Sequence, residues 1–240
     1  FSGQLFDGEI LHATGLGTNV PLSKLNGGRP FVLLDACEET PTVDAVNFPN
    51  EEAERAAMQH LIDRGCRNIA IVGHRFAPRA DLAHAQNAFA LRLRGACGAL
   101  SDAGLPYDES MVFEAGDVAN GIIAGHAIAE RILAARSGHG GTEFDGACCA
   151  NDFAAFGVIR GLADRGLRVP QDVKVIGFDG VTSGSYTTPA LSTIQVDFTQ
   201  LAKFSVDMLS ERIDHGADEA LPPRRAIIGY QLVDRESTAV

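Results

Sequence analysis

Residues 150–180 read ANDFAAFGVIRGLADRGLRVPQDVKVIGFDG and join two polar clusters, Asn151-Asp152 and Asp179, through one helix and one buried strand. A short apolar run, 146–150, leads into Asn151-Asp152. The helix follows, with Phe153, Phe156, Ile159 and Leu162 read as one face and Gly166 as its stop. Leu167-Arg168-Val169-Pro170 turns the chain, and 173–178 reads as a buried strand that ends at Asp179. Both clusters therefore fall where strands of an open α/β sheet end and ligands collect. The stretch has a binding-site layout, with no nucleophile or metal cluster beside it.

The same alternation extends outward in both directions. Strands are expected at 8–11, 31–34, 43–48, 68–73, 111–115, 191–196 and 226–234. Helices are expected from Asn50, a candidate N-cap followed by Glu51 and Glu52, and over 88–103, 120–135 and 199–215. On the first of these, Ala53, Ala57 and Leu61 form the expected inner face. A short helical piece is expected between the first two strands, 74–86 reads as a polar loop, and 137–142 (SGHGGT) reads as a flexible loop. Repeated β-α-β units imply a mostly parallel, doubly wound α/β fold, with enough chain for two lobes.

Composition narrows the function. The 240 residues carry a net charge of −11, so the chain itself repels DNA and anionic membrane. No apolar run reaches the roughly 20 residues of a membrane span, and the opening FSGQLFDGEI is not a signal peptide. Five cysteines (Cys37, Cys66, Cys97, Cys148, Cys149) form no CxxC pair, which points to reduced thiols and the cytoplasm. Gly15-Leu16-Gly17 lacks the third glycine of a dinucleotide fingerprint, and no P-loop, G-x-S-x-G or H-E-x-x-H occurs. The seven histidines lack ligand spacing. The expectation is a binding protein, not an enzyme, with no cofactor and no metal.

Six separated motifs point to a family. They are DGEIL (7–11), HLIDRGCRNIAIVG (60–73), RLRGACGALSDAGL (92–105), the 150–180 stretch, PALSTIQVD (189–197) and LVDREST (232–238). In this order and spacing the chain resembles the effector-binding core of lactose/galactose-repressor (LacI/GalR) transcription regulators, from about Asp7 onward. The resemblance implies a periplasmic-binding-protein-like fold, two doubly wound parallel-sheet lobes joined by three crossing strands near Phe48, Val196 and Gly229. One lobe would be 1–48 with 196–228, the other 49–195 with 229–240. It also implies a missing front: the basic helix-turn-helix and the first strand and helix of the first lobe. A homodimer, operator DNA bound through that front, and a small effector in the cleft, a saccharide or derivative, are the implied partners. Cys66, Ala96 and Pro49 depart from the family's usual His, aromatic and Asp; the Ala96 change reshapes the space beside Arg92.

The candidate ligand contacts are Arg92, Asn151, Asp179, Asp35, Phe198 and His12. Arg92 opens R-x-x-G and matches the family arginine; its rigid fork suits vicinal hydroxyls or a carboxylate. Asn151 can donate and accept, as a hydroxyl does, or cap the helix; Asp152 is read as the better cap and a structural partner. Asp179 is an acceptor at a strand end. Asp35 after FVLL and His12 after DGEIL would serve the other lobe, and Phe198 would stack on a sugar face or fill the lobe core. An exported solute-binding protein shares fold and cleft chemistry; the VPQDVKVIGFDG and REST wording and the unpaired cysteines favour the regulator.

Overall fold

The computed structural model describes residues 6–13, 29–38, 40–114, 121–137, 144–215 and 221–239. The chain divides into two compact units. Unit 1 is Phe1–Pro49, Gln86–Ala88 and Asp197–Gly229; unit 2 is Asn50–Ala85, Phe89–Val196 and Tyr230–Val240. The expected helical piece before the second strand, the loop 138–142, Ala115 and Asn120 lie outside the described residues, as does Gly15-Leu16-Gly17.

Unit 1 holds strands β1 (Glu9–His12), β2 (Phe31–Leu34) and β3 (Ala45–Asn47). Helix α6 (Phe198–His215) and strand β9 (Arg225–Ile227) also belong to it. Its sheet runs β1-β2-β3-β9, all parallel. Val32, Leu33, Ala45 and Val46 are its buried centre. Asp44, whose side chain is fully buried, ties this unit together. Arg212 donates Nε and Nη2 to its two oxygens at 2.9 and 2.8 Å, and Arg224 adds its backbone N–H at 2.8 Å and Nη2 at 3.1 Å.

Unit 2 contains α1 (Asn50–Asp63), β4 (Ile69–Val72), α2 (Arg79–Leu82), α3 (Ala88–Asp102), β5 (Val112–Phe113) and α4 (Gly121–Ser137). These are followed by β6 (Gly146–Cys149), α5 (Asp152–Asp164), β7 (Lys174–Asp179), β8 (Ser192–Val196) and β10 (Tyr230–Val233). The sheet order is β10-β8-β7-β6-β4-β5, parallel except for the antiparallel β10–β8 pair. β4, β6 and the middle of β7 are buried on both faces, as their unbroken apolar runs require. The terminal REST wording has a structural job: Ser237 Oγ donates to Val175 O at 2.6 Å and accepts from Ser192 N at 2.8 Å. Thr238 Oγ1 meets His60 Nε2 at 2.8 Å and Ser192 Oγ at 2.7 Å.

Four expectations need correction. The run 226–234 is two strands in two sheets, because the chain leaves unit 1 at Gly229. The strand expected over 43–48 shrinks to Ala45–Asn47, with Asp44 turned to its arginines. The polar loop after β4 contains α2. On α5 the inner face is Ala155, Val158, Ile159 and Leu162, whereas Phe153 is 47% exposed. A repeat of three falls about 60° short of a full turn at each step. Over three steps the drift reaches about 180°, so Phe153 ends opposite Leu162, while Phe156, Ile159 and Leu162 pack against the core.

Candidate functional site

In unit 2 the C-terminal ends of β4, β6 and β7, neighbours in the sheet, deliver His74, Asn151 and Asp179 to one edge. Arg92 reaches this edge from α3. The R-x-x-G spacing explains how: a Cβ on Gly95 would lie 2.1 Å from Glu51 O, so only glycine lets α3 sit directly on the α1 backbone. That approach brings Arg92 Nε to 2.8 Å from the Oδ1 of Asn50, the first residue of α1, a contact that the N-cap expectation did not include. Arg92 Nη1 donates to Ala150 O at 2.6 Å, and its guanidinium carbon stands 3.6 Å from the centre of the Phe178 ring. The arginine is buried and its plane is fixed by these contacts. Ala96, one residue past Gly95, is fully buried.

Asn151 caps α5: its Oδ1 accepts from Ala154 N at 2.8 Å. The expectation that Asp152 is the better cap is therefore corrected. Asp152, fully buried, accepts from Val181 N at 2.7 Å and Thr193 Oγ1 at 2.6 Å, which makes it a structural strut between α5 and β8. Burial raises its pKa to about 6 against those hydrogen bonds.

Asp179 ends β7 with φ at 111°, in the left-handed region that non-glycine residues rarely enter. Burial pushes its carboxyl up to about 7; Arg92 pulls against this, and the carboxylates of Asp152 and Glu54 add to it. Behind Asp179 stand two residues that sequence reading missed. Glu54 and His74 are 0% and 1% exposed, and Glu54 Oε1 lies 3.7 Å from His74 Nε2. One signal pointed to Glu54: it is in helical phase with Met58 and Leu61, both buried.

The unit 1 candidates occupy the equivalent edge of the other sheet. His12 ends β1 and Asp35 follows the neighbouring β2, His12 exposed and Asp35 buried with φ at 61°. Phe198, the first residue of α6, is 49% exposed and meets Phe48 edge-on at 6.0 Å between ring centres.

Two cavities of about 620 and 420 Å³ lie elsewhere in unit 2, sharing Val169, Gln171, Thr188 and Pro189; none of the candidate residues lines them. Among the described residues no cluster of His, Cys, Asp or Glu has metal-binding geometry, and no helix is long and apolar enough to cross a membrane. Cys66, Cys97, Cys148 and Cys149 are buried free thiols; burial pushes Cys66 and Cys97 up to about 11.

The two parallel-sheet units and their strand-end polar edges define a periplasmic-binding-protein-like domain, and that family's pattern matches residues 58–238. A solved LacI-family transcriptional regulator from Sanguibacter keddieii is 34% identical, with a TM-score of 0.82 over 98% of this chain and 80% of its own. The transcriptional repressor PurR of Escherichia coli is 31% identical over 211 residues, 88% of this chain and 56% of the repressor. The regulator CelR, solved with cellobiose, is 27% identical with a TM-score of 0.78, covering 98% of this chain and 67% of that one. This chain belongs to the LacI/GalR family of transcription regulators. It spans about 56–58% of the length of the curated repressors it matches.

Proposed function

We propose that this chain is the effector-binding and dimerisation core of a cytoplasmic LacI-type regulator, and that its effector is a sugar or sugar derivative. The observation that carries the reading is the unit 2 edge. A buried arginine of fixed plane, a helix-capping amide and an acceptor carboxylate meet there within a few residues of three strand ends. Such an edge offers donors and acceptors in a rigid frame, which is what a polyhydroxyl ligand needs. The cellobiose-bound relative supports the saccharide class.

In this reading Arg92, Asn151 and Asp179 are the ligand contacts that unit 2 offers, and Asp35, His12 and Phe198 are the candidates in unit 1. A ligand shifts a conformational equilibrium only by its difference in affinity for the two states. The coupling to operator binding by an N-terminal DNA-binding segment would be about 1–3 kcal/mol. The surface proposed for pairing with a second copy is the apolar patch Ile122, Ile123 and Phe153, where α4 and α5 begin.

Calorimetric titration with a panel of mono- and disaccharides tests the reading. At least one sugar binds, and Arg92→Ala weakens it at least a hundredfold while the circular dichroism spectrum is unchanged. Equal affinity in the variant would remove Arg92 from the site.

A further inference from the structure

Glu54 and His74 are buried polar groups whose hydrogen-bonding capacity the fold leaves unused. Glu54 Oε1 accepts from Cys148 Sγ at 3.3 Å, a weak donor. Among the described residues, Glu54 Oε2 and both ring nitrogens of His74 have no hydrogen-bond partner. The His74 ring rests edge-on against Phe89. Buried polar atoms are nearly always paired, so three unpaired ones in two facing side chains call for a reason.

The charge balance around them supplies one. Asp152 and Glu54 both stand close enough to raise the Asp179 carboxyl, and Arg92 is the cation that opposes them. Asp152 is saturated by Val181 N and Thr193 Oγ1, with Arg235 behind it, itself donating to Leu191 O. Arg92 is turned to Asn50, Ala150 and the face of Phe178. Half-buried Asp179 and fully buried Glu54 thus keep open acceptor positions in a setting poor in water, where an added positive charge is favoured and an added negative charge is repelled.

We infer that the effector carries an ammonium group, and that Glu54 makes this site select amino sugars over their neutral parents and over phosphorylated or carboxylated sugars. The inference rests on the reading of this edge as a saccharide site. Asp179 meets the ammonium group, and Glu54 and His74 act from behind it: Glu54 through its charge, His74 by keeping the Glu54 carboxylate away from water.

The test is a calorimetric titration of the chain at pH 7 with matched sets. Glucose, galactose and mannose are each compared with their 2-amino, N-acetylamino and 6-phosphate forms and their uronates. One amino sugar is expected to bind at least tenfold tighter than its neutral parent and its N-acetyl form. Phosphates and uronates bind more weakly than the parent. Glu54→Gln, which removes charge at constant volume, reduces the amine preference below threefold and leaves the parent's affinity within threefold. Parent and amine within twofold of each other, or an anionic form binding tightest, would overturn the inference; the saccharide reading survives that result if the binding is lost in Arg92→Ala. Silence from every set would overturn both. Should Glu54→Gln fail to fold, the preference series on the unaltered chain decides alone.

Discussion

Asp44, buried in unit 1, and Asp179, half-buried at a strand end of unit 2, are both drawn away from water, and the two units treat them in opposite ways. For Asp44, burial favours the neutral acid, but hydrogen bonds from Arg212 and Arg224 outweigh it and hold the carboxyl below its ordinary range. For Asp179, burial wins: Arg92 opposes it, yet Asp152 and Glu54 stand on the other side and the pKa reaches about 7. Unit 1 spends two arginines on a carboxylate whose task is to join β3 to α6 and β9. Unit 2 leaves its carboxylate short of positive charge, at a strand end with a left-handed backbone. In the proposed reading, this incompletely paired carboxyl at the strand end is the one that meets the ligand.

The largest expected effect separates the two by pH. A carboxyl whose folded pKa lies above its unfolded value stabilises the fold fully below the unfolded value, and that contribution is lost as pH rises through the folded one. For Asp179 the window runs from 3.8 to about 7; the loss is on the order of 4 kcal/mol if the whole shift is expressed. Urea denaturation between pH 4 and 8 should show ligand-free stability falling across this range. In Asp179→Asn the slope should drop by more than half, the rest coming from Asp152. Asp44 has the opposite sign, its contribution being present above pH 3.8 and lost below it. An unchanged slope in Asp179→Asn would erase the contrast.

Next in size is Arg212→Ala, which leaves buried Asp44 with Arg224 alone and should cost about 3 kcal/mol at pH 7. A cost under about 1 kcal/mol would mean that Arg224 suffices. Smaller again, Asn151→Ala loses the α5 cap and about 1 kcal/mol. Asn151→Ser keeps the cap but not the amide donor, so sugar affinity that falls equally in both variants assigns the loss to the amide. Smallest is Phe198→Ala: half-exposed and touching Phe48 edge-on, the ring contributes about 0.5 kcal/mol to stability. A clear fall in sugar affinity with so slight a change in melting temperature would mark the ring as a ligand platform.

The parallel architecture was legible because β4, β6 and β7 are apolar runs bounded by glycine and by polar strand ends, a pattern that needs no tertiary knowledge. Arg92, Asn151 and Asp179 were reached because their motifs are contiguous and match a family. Glu54 was not, since Glu51, Glu52 and Glu54 together look like an acidic, solvated first turn. Its helical phase with Met58 and Leu61 was the one opposing signal, and the packing of α3 on α1 through Gly95 settles that Glu54 is buried while Glu52 is exposed. His74 looked like the start of a polar loop for a similar reason; its burial depends on Phe89, a partner 15 residues away on another element. The α5 face was misread because a spacing of three looks periodic in a short window.

The split of the final β run bears on how the chain is made. β3 pairs with β9 across 180 residues, Ala45 with Arg225, and nearly all of unit 2 lies between them. At a synthesis rate of about 5–20 residues per second, the first three strands of unit 1 wait roughly ten to forty seconds on the ribosome for α6 and β9. Arg212 and Arg224, the partners of Asp44, arrive in the same late segment. Unit 2 can close its five parallel strands, β4 to β8, before unit 1 has its own complement. A nascent chain with about 200 residues emerged would therefore carry a formed unit 2 sheet while β1, β2 and β3 of unit 1 still lack α6 and β9, a stage open to chaperone capture or misassembly.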